Sequence, residues 1–254
     1  MTAPRALAVV PVPGFPQLDE PCELGPVVVE TLRRAGLAPE AGDVLVIAHK
    51  VVSKAEGRVV ALDGVSPGPE AVRLAAATDK DPRLVEVILS QTARVVRQAR
   101  GALICENRLG LISANAAVDR SNAGLERAVL LPENPDASAR ALGGALRAAF
   151  GVRVPVLIAD SHGRPWREGA VGVCIGLWGM DPFIDFRGRH DLYGYEMQSE
   201  VECAADELCA AATLVMGQAG EGVPLARVRG FPYKASETAR GRDLLRPAER
   251  DLFR

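Results

Sequence analysis

The chain predicts an α+β fold built from mixed α/β layers. Two short runs, Val44-Leu45-Val46-Ile47-Ala48 and Val154-Pro155-Val156-Leu157-Ile158-Ala159, are apolar almost throughout. Strands of that kind are buried on both faces and need layers above and below the sheet. Helical stretches separate them, most clearly after Asn134-Pro135, and a hairpin pattern lies between. Helix followed by strand followed by a polar loop is the order expected of layered α and β elements.

Composition sets the outer bounds. The chain has 254 residues, 48% hydrophobic and 24% charged, which suffices for a sizeable core. One domain spanning 1–254 is expected, with room for two interleaved subdomains. The net charge of -2 gives no electrostatic case for nucleic acid or for an anionic membrane. No apolar run approaches a membrane span, and Pro4, Pro11 and Pro13 break the N-terminal pattern of a signal peptide. Five cysteines (Cys22, Cys105, Cys174, Cys203, Cys209) form no CxxC pair. Free thiols in a reducing cytoplasm fit that odd number best.

Taken in order, residues 6–12 read as a strand closed by prolines. Residues 26–35 fit a short helix with Pro26 at its start and Gly36 past its end. After strand 44–48, the segment from His49 to Arg58 leaves the strand end as a loop. Residues 69–78 and 81–99 are expected to be helical. In the second, Leu84, Val87, Ile88 and Val95 keep roughly helical spacing, and Arg94 and Arg97 would favour the negative pole. Residues 102–106 and 111–114 flank a turn with Gly110 and suggest a β-hairpin. Asn134 is the candidate N-cap of the next helix, Pro135 its first residue and Gly151 its end. Strand 154–159 follows, then a loop punctuated by Gly163 and Pro165 that carries Arg164, Trp166 and Arg167. Residues 170–176 form a glycine-rich strand. In 185–194, Arg187 and Arg189 fit either an acidic substrate or a surface loop stitched by its own ion pairs. Residues 200–216 are helical, with Cys203 and Cys209 as core fillers. Residues 224–230 are a last strand, and the tail from Tyr233 is expected at the surface.

Several polar residues suggest chemistry. Asp160 and Ser161 stand where an apolar strand emerges, and a turn capped by Asp160 explains them equally well. Asn115, Asp119, Ser121 and Asn122 offer oxygens suited to a hard cation, although an Asx-rich turn is the commoner meaning. Only Lys50, Lys54, Lys80 and Lys234 are lysines. Lys54 could meet phosphate as a point charge, while base rates favour a solvated loop lysine. No GxxxxGK[ST] loop and no GxSxG elbow are present. Gly217, Gly220 and Gly222 lie between helix and strand, the wrong order for a dinucleotide fingerprint. Such a loop could wrap a nucleotide with backbone N–H groups or simply end a helix. His49, His162 and His190 have no metal-ligand spacing. These residues alone support a magnesium- or manganese-dependent enzyme acting on phosphates.

The same motifs, taken together, narrow the reading. Gly42 to Val46, Val51 to Arg58, Asn115 to Asn122, Leu130-Leu131-Pro132 with Pro135 to Ala139, Asp160 to Arg167, Gly188-Arg189 with Asp191 to Gly194, and Ala205-Asp206-Glu207 with Met216-Gly217 occur in one order over nearly the whole chain. They resemble the coenzyme F420-0:L-glutamate ligase family, the gamma-glutamyl ligases of deazaflavin biosynthesis. The resemblance implies that family's fold, a homodimer with the site near its interface, and GTP, L-glutamate and coenzyme F420-0 as substrates. It implies two divalent ions, Mg2+ or Mn2+, with K+ as a further candidate. Asp119, Asp160 and Lys54 would be catalytic. Asp119, Asp160, Ser161 and Gln218 would hold metal. Phe15, Pro16, Gln17, Leu18, His49, Lys50, Lys54 and Asn122 would contact GTP, as would Met216, Gly217, Gln218, Ala219, Gly220, Glu221, Gly222 and Val223. No C-terminal flavin-binding domain is expected. Two alternatives stay open: a nucleotide- or deazaflavin-binding module without turnover, and a metal-dependent phosphate hydrolase.

Three residues depart from the family pattern. Ala117 replaces a usual glycine and Ser161 a usual threonine. Gln218 stands where a metal-binding glutamate is expected, and Glu221 nearby is the candidate substitute.

Overall fold

A computed structural model describes residues 6–252. The elements in chain order are β1 (Ala8–Pro11), α1 (Leu24–Arg34), β2 (Val44–Ala48), α2 (His49–Ala55), β3 (Val59–Ala61), α3 (Pro69–Thr78), α4 (Pro82–Gln91), β4 (Thr92–Ala99), β5 (Ala102–Asn107), β6 (Ile112–Ala114) and β7 (Arg127–Val129). They continue with α5 (Pro135–Phe150), β8 (Val156–Arg164), β9 (Arg167–Met180), β10 (Phe183–Asp185), β11 (Val201–Cys203), α6 (Ala204–Met216), β12 (Leu225–Arg229) and β13 (Ala235–Ser236).

The central sheet has the order β1-β12-β2-β8-β9-β13. Only β2 and β8 pair in parallel; the other neighbours are antiparallel. Alternation along the strands explains why the two apolar runs lack a polar face. Leu45, Ile47, Val156 and Ile158 enter a core with residues of α1 and α5. Val44, Val46, Leu157 and Ala159 enter a second core, on the other side, with residues of α6. The expected layering is therefore present, as helix, sheet, helix. A third cluster joins α3 and α4 to the small sheet β4-β5-β6, with Val118 and Ala128 included.

The structure corrects several expectations. The helix expected over 81–99 stops at Gln91, and residues 92–99 form β4. Thr92, Val95 and Val96 are β-branched, and pairing with β5 exceeds the helical preference of a segment whose periodicity fits both. Arg94 thus faces no helix pole; it pairs with Glu106 across the ladder at 2.9 Å. Residues 49–55, expected as loop, are helical as α2. Cys203 ends β11 and does not lie inside a helix, while Cys209 is fully buried in α6. The tail does not merely lie outside. β13 adds to the edge of β9, and Gly241 packs so closely that a Cβ there would sit 2.7 Å from the Ile175 carbonyl oxygen. In the segment 185–194, Arg187 forms a 2.5 Å ion pair with Asp185, the self-stitched alternative.

The expected loop after residue 159 is also replaced. β8 continues through Arg164 and folds back into β9, with Asp160 opposite Val173 and Gly163 opposite Ala170. There the half-buried Asp160, His162 and Arg164 alternate with exposed Ser161 and Gly163, so polar residues occupy both faces and no apolar stripe marks the strand.

Candidate functional site

The C-terminal end of β2 and the point after Ala159 where β8 leaves its parallel pairing with it open into one cavity of about 570 Å³. The crevice beyond the carboxyl ends of parallel strands is the usual ligand position in such sheets. Every residue proposed above for metal or nucleotide lines this cavity: residues 15–18, His49, Lys50, Lys54, Asp119, Asn122, Asp160, Ser161 and residues 216–223. Ser121, expected only as one oxygen donor among several, lines it too, as do Gly124 and Thr213, which no sequence feature marks. Ser121 was detectable, since it lies inside the oxygen-rich 115–122 segment. Thr213 was not, because its exposure to the cavity depends on how α6 crosses the sheet.

Asp160 is delivered by β8 and flanked by two imidazoles. His49 Nε2 lies 3.2 Å from Oδ1, and His162 Nε2 lies 3.1 Å from Oδ2. The His162 contact lacks hydrogen-bond alignment, which leaves that buried nitrogen without a hydrogen-bond partner. Oδ1 also accepts the Ser161 backbone N–H at 2.7 Å. Burial pushes the Asp160 carboxyl upward, but the charges and contacts of His49 and His162 outweigh it and hold the group well below the ordinary carboxylate range. His49 begins α2, and its other nitrogen meets buried Ser53 one turn later, at 3.3 Å. It is only 3% exposed, so it supports Asp160 more than it faces the open cavity. His162 was not assigned a role from sequence; its separation from Asp160 by two residues puts both on one strand face, a signal open to period-2 reading.

Asp119 arrives differently. Asn115, Ala116 and Ala117 take left-handed φ values of 55°, 53° and 62°, and the chain then makes an isolated bridge between Asp119 and Val129. Lys50 Nζ lies 2.6 Å from Oδ2, while the Ser121 N–H and hydroxyl donate at 2.8 and 2.9 Å. Burial would raise the Asp119 pKa; the Lys50 and Ser121 contacts lower it on balance. The positive φ at Ala117 is one that glycine would adopt without a Cβ penalty. Lys54, one turn after Lys50 on α2, has its pKa lowered by burial and by the Lys50 charge, against the pull of Asp19.

The loop after α6 closes the opposite wall. The Ser161 hydroxyl donates to Gln218 Oε1 at 2.6 Å, and Asn122 Nδ2 donates to the Ala219 carbonyl at 3.0 Å. Gly217 has φ 76°, and a Cβ there would collide with the Glu221 carboxyl, 2.3 Å from Cδ. Glu221 thereby folds beneath the loop and accepts the Ala219 N–H at 2.8 Å. Backbone N–H groups, its own first, hold its pKa below the usual value.

Hard oxygen donors from Asp119, Asp160, Ser161 and Gln218 on one cavity suit a small divalent cation. Among the described residues, no three acidic, histidine or cysteine side chains converge to ligate a metal by themselves. Phosphate and water oxygens would complete the coordination, as is usual for magnesium. Among the described residues, no helix is long and apolar enough to cross a membrane.

A family model for F420-0:gamma-glutamyl ligase matches residues 14–230. A coenzyme F420:L-glutamate ligase of Methanothermobacter thermautotrophicus is 41% identical over 249 residues, which is 98% of this chain and 99% of that protein. One of Methanopyrus kandleri is 44% identical over 251 residues, 98% of each chain. One of Methanocaldococcus jannaschii is 42% identical over 217 residues, 85% of this chain and 86% of its own.

Proposed function

The chain belongs to the F420-0:gamma-glutamyl ligase family, and from that membership we propose that it joins L-glutamate to the deazaflavin precursor F420-0 at the expense of GTP. The acceptor's terminal carboxylate oxygen attacks the γ-phosphorus of GTP, and GDP leaves with the bond's electron pair. The glutamate amine then attacks the acyl carbon; phosphate departs and the amine loses its proton to solvent. Later additions use the gamma carboxylate of the glutamate already attached.

The observation that carries this reading is the convergence of cationic, carboxylate and glycine-loop groups on one cavity where β8 parts from the end of β2. Phosphoryl transfer asks a protein chiefly for positioning and charge neutralisation. Lys50 and Lys54 supply positive charge beside the phosphates. The 216–223 loop supplies backbone N–H groups for the nucleotide, with residues 15–18 opposite. Asp119, Asp160, Ser161 and Gln218 would hold two Mg2+ or Mn2+ ions, which neutralise charge developing on the transferred phosphoryl group. His49 and His162 fix the Asp160 carboxylate for that task. K+ and a homodimer belong to the same reading, as does a cytoplasmic location.

The test is one incubation with GTP, manganese, L-glutamate and F420-0, followed by product mass and released phosphate. Glutamylated product with one phosphate per added residue is the expected outcome. Phosphate without glutamylation would instead indicate a hydrolase. Neutral Gln218 favours a second reading, a binding module: retained GTP binding with no turnover would establish it.

A further inference from the structure

We propose that the solvent-facing strip of the β8–β9 hairpin, from Ser161 past Gly163 to Trp166, is where the flat, anionic ring system of the acceptor docks. This deepens the ligase reading and rests on it. Gly163 is the starting observation. It lies inside a strand, where glycine is unfavourable, yet its φ is not positive and no atom lies within 4 Å of where its Cβ would be. Neither backbone conformation nor packing within the chain asks for glycine there. A strand glycine of this kind leaves space for something to approach the backbone closely.

Trp166 is the second observation. It follows Pro165 in the hairpin turn with φ 66°, a place that suits Gly or Asn. Its side chain is 86% exposed, so burial within this chain does little to offset the strain. The two oddities are joined by geometry. Strand alternation puts Ser161 and Gly163 on one face, and Ser161 touches Gln218 in the cavity wall at 2.6 Å. The bare position therefore lies just beyond the cavity, and the indole lies beyond it at the tip. Four strand steps separate Asp160 from Arg164, about 13 Å. An extended substrate reacting at the cavity could reach the tip along this strip. Arg164 and Arg167 flank the turn and complement an anionic ligand; the buried Arg164 Nε has no hydrogen-bond partner. Stacking on an indole beside guanidinium groups is the recognition chemistry of a flat, negatively charged heterocycle.

The chain has two tryptophans, so a Trp178→Phe background leaves Trp166 as the sole indole emitter. Titrating that variant with F420-0 should quench the emission. Gly163→Val should weaken acceptor binding about tenfold or more, the scale of one aromatic stack, with unchanged GTP affinity. Its melting temperature should stay level or rise, since valine favours a strand. Trp166→Ala should raise the acceptor KM by a similar factor with little change in kcat. Tight acceptor binding in both variants would overturn the strip while leaving the ligase reading standing. A Gly163→Val effect confined to the sedimentation coefficient would also overturn it, by making the strip a self-association surface. Failure of the unsubstituted chain to bind F420-0 at all would remove the ligase reading and the strip together.

Discussion

Asp160 and Asp119 face the same cavity, but the chain holds them by opposite means. Asp160 sits on a strand paired on both sides, has a side chain 13% exposed, and is contacted by two imidazoles. Asp119 follows three consecutive left-handed residues, is 42% exposed, and faces one flexible lysine. One carboxylate is placed by the sheet, the other by a strained turn. A site assembled this way has a rigid wall and an adjustable one. That would suit the proposed ligation, whose substrates share this one cavity.

Substitutions can test the contrast, beginning with the largest effect. Asp160→Asn keeps the shape but removes the charge on the rigid wall. Residues that only orient a metal ligand typically cost about 10–100-fold, so Asp160, proposed above as a ligand itself, should cost at least about 100-fold in glutamylation rate. Circular dichroism should be unchanged. Full activity in this variant would remove Asp160 from the chemistry. Next, His49→Leu should cost about 10–100-fold through loss of Asp160 orientation, the range typical of such supports. Manganese affinity measured by calorimetry should fall with it; unchanged affinity would show that the imidazole does not position the carboxylate.

Acid titration separates the two carboxylates without mutation. Both have pKa values lowered in the folded chain, so each contributes stability above the ordinary carboxylate range near pH 4, lost as pH falls through the folded value. The depression at Asp160 is the deeper one. In metal-free protein, carboxyl carbon resonances should show Asp119 protonating at higher pH than Asp160; the reverse order would erase the distinction. Smaller still, Ala117→Gly should relieve a left-handed alanine, worth about 1–2 kcal/mol, against about 0.5–1 kcal/mol of added chain entropy. A rise of about 1–3 °C in melting temperature is the net expectation. Lys50→Met should change stability by no more than about 1 kcal/mol, because the ion pair is partly solvated.

Much of this architecture was legible in the residues. Runs without a polar face marked β2 and β8, since only a strand covered on both sides can omit one. Asn134, Pro135 and Gly151 marked both ends of α5 through capping chemistry that acts within one turn. The motif order also pointed to the family whose model matches residues 14–230. β4 was misread because Leu84 to Val95 satisfies helical spacing while its β-branched end needs β5 to choose the strand. The β8–β9 hairpin carries no strand signal in the sequence because polar residues occupy both of its faces, the half-buried face of Asp160, His162 and Arg164 included.

What the residues determined by themselves were the local elements and the kinds of chemistry available: two carboxylates, paired lysines, a glycine loop. What only the tertiary structure decided was their meeting. Asp119 and Asp160 are forty-one positions apart, and neither sequence separation nor composition encodes the distance between them. Parallel pairing of β2 with β8 brings the end of β2 and the Ala159–Asp160 step of β8 to one rim, and the isolated bridge of Asp119 to Val129 carries the second carboxylate to it. Those are non-local hydrogen bonds, selected by burial of the whole sheet, and no short window of sequence contains them.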